Sequence, residues 1–402
     1  MRILVLSQYF WPENFRINDV VEGLVQCGHQ VTVFTALPNY PSGRFFPGYG
    51  PFGPSYENYK GAEVHRVPLI PRGKGGGWRL ALNYLSHALC ATLFAWRATG
   101  RYDAILVYAP SPITIGIPAR FLRWLKGARL VFWVQDLWPE SLAATGAIRN
   151  RRVLGVVDRL VKWIYRGCDR VLVQSQAFIP SVRAHGVPEE KIGYLPNSAE
   201  AFYRRVEKGD DDLGMPAGFR VLYAGNIGVA QDFPTILAAA ERLKDDTRIQ
   251  WIVLGDGRVR EWVADEIVRR RLQGSFHLLG TQPPERMPHY FARADVLLAT
   301  LRREPIFAYT IPSKIQTYIA CGKPVIAALD GEGGRIIREA GAGWAVPSED
   351  PKALAEAVAA ASRAGAAELA AMGARAEACF REQFEREKLL SQLEAELMQA
   401  SE

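Results

Sequence analysis

Two hydrophobic spacings alternate along this 402-residue chain. Short unbroken apolar runs, bounded by polar or glycine-rich turns, give way to longer stretches in which apolar positions recur every three or four residues. The first kind reads as strands buried on both faces, the second as the helices that cover them. In the first half the expected strands are Arg2–Ser7, Gln30–Thr35, Glu63–Val67, Ala104–Val107, Arg129–Val134 and Arg170–Gln174, with helical patterns such as Asn18–Cys27 and Ile113–Leu125 between them. In the second half they are Arg220–Tyr223, Gln250–Leu254, Phe276–Leu279, Asp295–Ala299, Pro324–Ala328 and Gly343–Val346. The alternation predicts an α/β protein of two doubly wound, Rossmann-like domains with parallel sheets, whose ligands lie beyond the carboxyl ends of the strands.

A chain of this length exceeds what one core usually organises, which also favours two domains. The polar run from Glu207 to Pro216 marks the linker, so the expected domains are 1–200 and 201–375. Three consecutive aspartates in that run, Asp210 to Asp212, read as a solvated linker and not as a metal site. The segment from Ala366 to Ala400 is rich in Ala, Glu and Leu and predicts one or two helices.

Composition narrows the class. Hydrophobic residues make up 49%, and the five cysteines are isolated, which favours reduced thiols over a disulfide framework or a zinc site. The opening Met1-Arg-Ile-Leu-Val-Leu-Ser7 reads as a strand and not as a secretory leader. No uninterrupted apolar run of about 18 residues occurs, so no bilayer-spanning helix is expected. The net charge of +7 is uneven: residues 1–200 hold 23 Lys and Arg against 13 Asp and Glu, and the rest 26 against 29. A basic first half points to an anionic partner. Without a zinc-finger, basic-helix or RNP pattern, that partner is expected to be an anionic membrane surface or phosphorylated lipid and not nucleic acid. The segment Trp78 to Arg97, apolar with tryptophan and arginine at both ends, reads either as a helix covering the sheet or as a membrane-facing one.

Two common nucleotide sites are missing. The loop after the first strand, Gln8-Tyr-Phe-Trp-Pro-Glu-Asn14, lacks Gly-x-Gly-x-x-Gly, and no Walker Gly-x-x-x-x-Gly-Lys-Ser occurs. The glycine run Gly73 to Gly77 joins no strand to a helix and reads as a loop. The six histidines show no His-x-x-x-His spacing, so neither metal nor cofactor is expected.

The most informative stretch is Tyr309 to Ala328, which reads as loop, short helix, glycine stop and buried strand. Pro312 and Ser313 signal the helix start, and Gly322 the stop. Free backbone N–H groups at such a start, with Lys314 in the first turn, favour a phosphate. In the same domain, Leu222-Tyr-Ala-Gly-Asn-Ile-Gly228 reads as strand and glycine turn, where Gly225 and Gly228 allow close backbone approach to a ligand.

Pro-Ser-Lys followed by Tyr-Ile-Ala-Cys-Gly-Lys-Pro-Val resembles the donor-binding helix of bacterial GT-B glycosyltransferases of family 4, especially those that build O-antigens, exopolysaccharides and colanic-acid-like capsules. The strings Asp136-Leu-Trp-Pro-Glu-Ser141, Gln174-Ser175 and Tyr194-Leu-Pro-Asn197 resemble the same subfamily, as do Gly255-Asp-Gly257 and Gly280-Thr281 in the order in which they occur. The resemblance implies two Rossmann-like domains facing across a cleft. It also implies a last helix, 376–402, that returns to the first domain, and a retaining, metal-independent transfer of sugar from a nucleotide diphosphate, with UDP expected ahead of GDP. The implied acceptor is a lipid-linked, polyprenyl-diphosphate-type saccharide, which places the enzyme in the cytoplasm at the inner face of the membrane.

Carried over residue by residue, the resemblance assigns donor binding to Gly225, Asn226, Gly228, Gln231, Gly255, Gly257, Gly280, Arg302, Pro312, Ser313, Lys314, Gln316 and Thr317. Catalytic roles fall to Asp136, Glu304 and Lys314. Two departures from the pattern matter. Asn226 and Gln231 stand where the family usually has an Arg and a Lys, so Lys314, aided by Arg302 or Arg303, is expected to neutralise the diphosphate. Tyr309 and Thr317 stand where the family has paired glutamates, so Gln316 or Thr317 is expected to meet the ribose and Glu304 the donor sugar. Alternatives stay open at three places. Asp136 orients the acceptor or caps a helix, Glu304 binds sugar or pairs with its arginines, and Gln8 to Glu13 line the site or pack the sheet edge. Two rival functions also stand. A GT-B-shaped nucleotide-sugar epimerase would act on the donor alone, and a non-catalytic saccharide- or membrane-binding scaffold would show no nucleotide-dependent stabilisation.

Overall fold

The computed structural model describes residues 1–73, 77–144, 146–209 and 213–398. The linker aspartates 210–212 and the centre of the glycine run, 74–76, lie outside the described residues. The chain divides into two compact units: Met1–Pro196 together with the segment from Glu387 onward, and Asn197–Arg386.

The first unit is built on strands β1 (Arg2–Leu6), β2 (Gln30–Ala36), β3 (Tyr56–Tyr59), β4 (Ala62–Val67), β5 (Ala104–Ala109), β6 (Arg129–Val134), β7 (Arg170–Val173) and β8 (Ile192–Tyr194). Their order across the sheet is β3-β4-β2-β1-β5-β6-β7-β8. All pair in parallel except β3, which runs antiparallel to β4. That edge strand and the three-residue β8 were not anticipated. The sequence of β3, Tyr-Glu-Asn-Tyr, alternates exposed and half-buried positions, as an edge strand open to solvent on one face does. By contrast every residue of β5, Ala-Ile-Leu-Val-Tyr-Ala, is buried, as a parallel strand covered on both faces requires.

The C-terminal helix Arg386–Met398 completes this unit by placing Leu389, Leu393 and Leu397, one turn apart, in the core with Ile17, Val21 and Leu24. Burying each leucine is worth about 1.5–3 kcal/mol. A bidentate pair fixes the register: Arg170 donates to both Glu396 carboxylate oxygens at 2.6 and 2.9 Å. The return therefore begins at Glu387 and not at 376. The preceding helix Ala366–Gln383 belongs to the second unit, closed by the fully buried Phe384, whose carbonyl accepts from the Ser198 hydroxyl at 2.7 Å.

The second unit holds β9 (Phe219–Ala224), β10 (Ile249–Leu254), β11 (Phe276–Gly280), β12 (Val296–Thr300), β13 (Val325–Ala328) and β14 (Gly343–Val346), all parallel, in the order β11-β10-β9-β12-β13-β14. The chain winds outward from β9 in one direction and from β12 in the other, so their end loops diverge at a topological switch point. In the first unit the corresponding place lies between β1 and β5.

Candidate functional site

In the second unit the loops at the strand ends are stitched by backbone. Gly225 N–H donates to Leu254 O at 2.8 Å, Gly255 N–H to Gly280 O at 2.8 Å, and Ile227 N–H to Asp256 O at 2.8 Å. Only glycine permits this. A Cβ on Gly255 would sit 1.9 Å from Gly225 O, and its φ of +142° disfavours any side chain. A Cβ on Gly257 would meet Ile227 O at 2.4 Å, and one on Gly228 would meet Asn226 Nδ2 at 2.5 Å and Gln231 Oε1 at 2.6 Å. Five glycines picked from the sequence thus form one floor.

Lys314 reaches that floor from the helix Ser313–Ala320. Its Nζ lies 2.6 Å from where a Cβ of Gly225 would be, so the missing side chain is what admits the ammonium. The same Nζ stands 4.8 Å from the centre of the Tyr223 ring, a cation–π contact. No carboxylate pairs with it among the described residues, and burial pushes its pKa down to about 8. One turn along, Tyr318 OH accepts from Ala224 N–H at 3.0 Å, clamping the helix to the end of β9. Sequence reasoning missed Tyr223 and Tyr318. The spacing Lys314 to Tyr318, two polar-tipped residues on one helix face, was the available signal.

The other predicted residues gather around this point with different partners. Asn226 Nδ2 donates to Gln231 Oε1 at 3.2 Å, so the two residues that replace cations bond to each other. Thr300 Oγ1 donates to Gln231 O at 2.6 Å and Arg302 N–H to Ala230 O at 2.9 Å, tying the loop after β12 to the turn after β9. Pro312 caps the Ser313 helix without a side-chain bond. Gln316 and Thr317 are buried, and Gln316 Nε2 has no hydrogen-bond partner among the described residues. The arginines do not pair with Glu304. Arg302 faces Glu349 at 3.4 Å and Arg303 faces Asp330 at 3.3 Å, while Glu304 is exposed at the start of the helix Pro305–Tyr309. The ion pair weighed for Glu304 is therefore absent, and both arginine charges are already countered.

The first unit closes its strand ends with side chains. Buried Glu13 accepts from Asn39 and Tyr40 N–H, both at 2.7 Å, and from Phe10 N–H at 3.3 Å, joining the loop after β1 to the loop after β2. Burial outweighs those donors and raises its pKa to about 7. Asn83, from the helix Gly77–Leu93, accepts from Gln8 Nε2 at 2.9 Å and donates to Ile70 O at 2.7 Å. Gln8 Oε1 is buried without a hydrogen-bond partner among the described residues. Tyr9, Phe10 and Glu13 lie in the interior and Trp11 is exposed.

Asp136 follows β6. Its Oδ2 accepts from the Ser141 hydroxyl at 3.1 Å and the Trp138 indole N–H at 3.2 Å, and burial raises its pKa to about 6. Tyr84 stands over Trp138 with ring centres 6.1 Å apart. A half-buried carboxylate near pKa 6 is suited to accepting a proton near neutral pH. Among the described residues no group of three or more His, Cys, Asp or Glu could hold a metal ion.

Against known proteins, residues 14–198 match the glycosyl transferase 4-like domain and residues 218–363 the glycosyl transferases group 1 domain. WcaI of Escherichia coli, a glycosyl transferase assigned to colanic acid biosynthesis, is 28% identical over 341 residues, 80% of this chain and 82% of its own. WbjE of Pseudomonas aeruginosa, assigned as a glycosyltransferase, is 27% identical over 290 residues, 69% of this chain and 71% of its own. Among solved structures, HepE of Anabaena in complex with UDP aligns over 99% of both chains with a TM-score of 0.74 at 17% identity. WaaG, a glycosyltransferase involved in lipopolysaccharide biosynthesis, aligns over 100% of both with a TM-score of 0.69 at 13% identity. These structural likenesses speak to the fold.

Proposed function

Because the chain belongs to the GT-B glycosyltransferases, as its two matched domains show, we propose that it transfers a sugar from a nucleoside diphosphate, UDP before GDP, to a lipid-linked saccharide. Its work lies in the synthesis of a bacterial surface polysaccharide, a reading supported by the colanic acid assignment of WcaI, and retains the anomeric configuration. A lipid-linked acceptor puts the reaction at the cytoplasmic face of an anionic membrane.

The single observation that carries the reading is Lys314: an ammonium with no carboxylate partner among the described residues, held against a glycine floor at the carboxyl end of β9. Catalysis then rests on charge. As the bond from the sugar to the diphosphate oxygen breaks and the bond to the acceptor oxygen forms, negative charge grows on the leaving group. The Lys314 ammonium and the N–H groups at the start of its helix stabilise that charge. The acceptor proton passes to the departing phosphate oxygen or late to Asp136, whose carboxylate first orients the hydroxyl. Gln316, with an unpaired buried amide, and Thr317 serve the ribose, Gly280 and its loop the base, and Glu304 the sugar hydroxyls. Arg302, engaged with Glu349, assists only if that pair opens.

Thermal unfolding in the presence of UDP, GDP and ADP tests the reading. Saturation at 100 times Kd stabilises by about 2.7 kcal/mol, and UDP is expected to give the largest shift. No shift with any of the three would overturn the proposal. With donor and acceptor both supplied, the proton coupling at the new anomeric centre reports retention or inversion.

A further inference from the structure

The helix Gly77–Leu93 and the turn Ala95–Arg97 that follows it bury one face and leave the other bare. Asn83, His87, Ala88, Ala91 and Ala95 point inward. Trp78, Leu82, Leu85, Leu89, Leu93 and Trp96, spaced by four, three, four, four and three residues, form an outward stripe, with Trp78 70% and Trp96 65% exposed. Soluble surfaces rarely present so continuous an apolar row. Two further helices extend it. Gly116–Lys126 packs beside Gly77–Leu93 and exposes Trp124 (76%) and Leu125. Arg151–Arg166 packs beside the second and exposes Val153, Val156 and Trp163.

Cations surround the apolar row. Residues 77–97, 116–126 and 149–166 carry two, three and six Lys or Arg, eleven in all, against one acid, Asp158. Arg123 pairs with Asp169 and Lys162 with Asp158. The other nine have no carboxylate partner among the described residues. Arg97 lies over Phe94 at 4.4 Å, and Arg120 over Trp163 at 4.1 Å, so guanidinium and aromatic ring are presented together.

We propose that these three helices form the seat for an anionic lipid bilayer, with the leucine stripe of residues 82–93 inserted among the acyl chains and the cations at the headgroups. Tryptophans at both ends of the stripe sit at the depth that indole favours, the water–lipid boundary. No helix of the described residues is long and apolar enough to cross the membrane, so the contact is lateral. A second copy of the chain is the less suitable occupant. Residues 77–97 hold Arg79 and Arg97 and no acid, so pairing with themselves in either direction sets cation against cation. The seat also leads to Asp136. Tyr84, on the helix that bears the stripe, lies tilted against Trp138, which donates to the Asp136 carboxylate. The inference rests on the lipid-linked acceptor for its purpose, though not for its physics.

The test is co-sedimentation of the full chain with phosphatidylglycerol/phosphatidylcholine vesicles and with pure phosphatidylcholine vesicles. The wild type is expected to bind the anionic vesicles and to be released by high salt. Leu85→Ser/Leu89→Ser should weaken that binding about tenfold or more while leaving thermal unfolding and nucleoside diphosphate binding unchanged. Equal binding of wild type and variant to anionic vesicles overturns the seat. So does a micromolar dimer of the wild type, seen by sedimentation velocity, that the double substitution dissociates. Vesicle binding without any nucleoside diphosphate binding leaves the seat standing and sinks the transferase reading, which keeps the two failures apart.

Discussion

The two units share a doubly wound sheet and finish its strand ends in opposite ways. In the second, backbone meets backbone: Gly225, Gly255 and Gly280 link three successive loops, and one lysine enters because a side chain is missing. In the first, side chains fill the corresponding place, where Glu13, Asn39, Asn83 and Gln8 bond across four segments. The surfaces differ too. Among the described residues the second unit exposes few large apolar side chains, Val229, Trp262, Val268 and Tyr309, whereas the first exposes rows of them beside unpaired cations. A backbone floor suits a ligand whose charged phosphates must come close to N–H groups, and a side-chain floor suits a partner selected by shape.

The sharpest way to break this contrast is Gly255→Ala. A Cβ 1.9 Å from Gly225 O, at a positive φ, is expected to cost about 3 kcal/mol or more and to lower the unfolding temperature of the second unit. Gly280→Ala, where the Cβ meets nothing within 4 Å, keeps only the cost of its φ and should be milder. If calorimetry shows equal losses, close approach is not what the floor requires.

Next comes Lys314→Ala. Losing one charge-assisted contact in a closed site costs roughly 2–4 kcal/mol, about 30-fold to 1000-fold in turnover. Activity within threefold of wild type would show the phosphate site to be elsewhere. Since burial holds the Lys314 pKa at about 8, nucleoside diphosphate affinity should also fall as pH rises through 8, and titration calorimetry in two buffers should register proton uptake on binding.

Asp136→Asn keeps size and removes charge. Transfer should drop by at least about tenfold with nucleoside diphosphate affinity unchanged, and the wild-type rate should decline below about pH 6 as the carboxylate protonates. A fall in stability and donor affinity together would point to a capping role instead.

The last check concerns the stability of the first unit through Glu13. Its folded pKa, about 7, lies above the ordinary 4.5, so the folded state holds the proton more tightly between those values. Stability from this group is full below about pH 4.5 and declines as pH rises to 7. Glu13→Gln should flatten that slope in urea unfolding curves, and an unchanged slope would refute the assignment.

What could be read from sequence follows the same division. Unbroken apolar runs located twelve of the fourteen strands among the described residues, because burial on both faces leaves no other pattern. The edge strand Tyr56–Tyr59 and the short Ile192–Tyr194 carry too little apolar signal to stand out. The glycine floor was legible, since a glycine after a buried strand has few other uses. The Arg302–Glu349 pair and the Tyr318 clamp were not, because each joins residues far apart in the chain, nor was the Asn226–Gln231 bond, which depends on how the turn between them folds. The two faces of Gly77–Leu93 stayed open between sheet and membrane for another reason: helical periodicity reports that an apolar stripe exists, not which side of it meets the sheet.

One consequence of the returning C-terminal helix concerns the order in which the protein is made. Leu389, Leu393 and Leu397 belong to the first core, yet they leave the ribosome after every residue of the second unit. A nascent chain stopped at Arg386 therefore carries a finished C-terminal domain and an N-terminal one with its hydrophobic seam open. The usual N-to-C order of domain completion is reversed, and the open seam is where a chaperone would be expected to bind during synthesis.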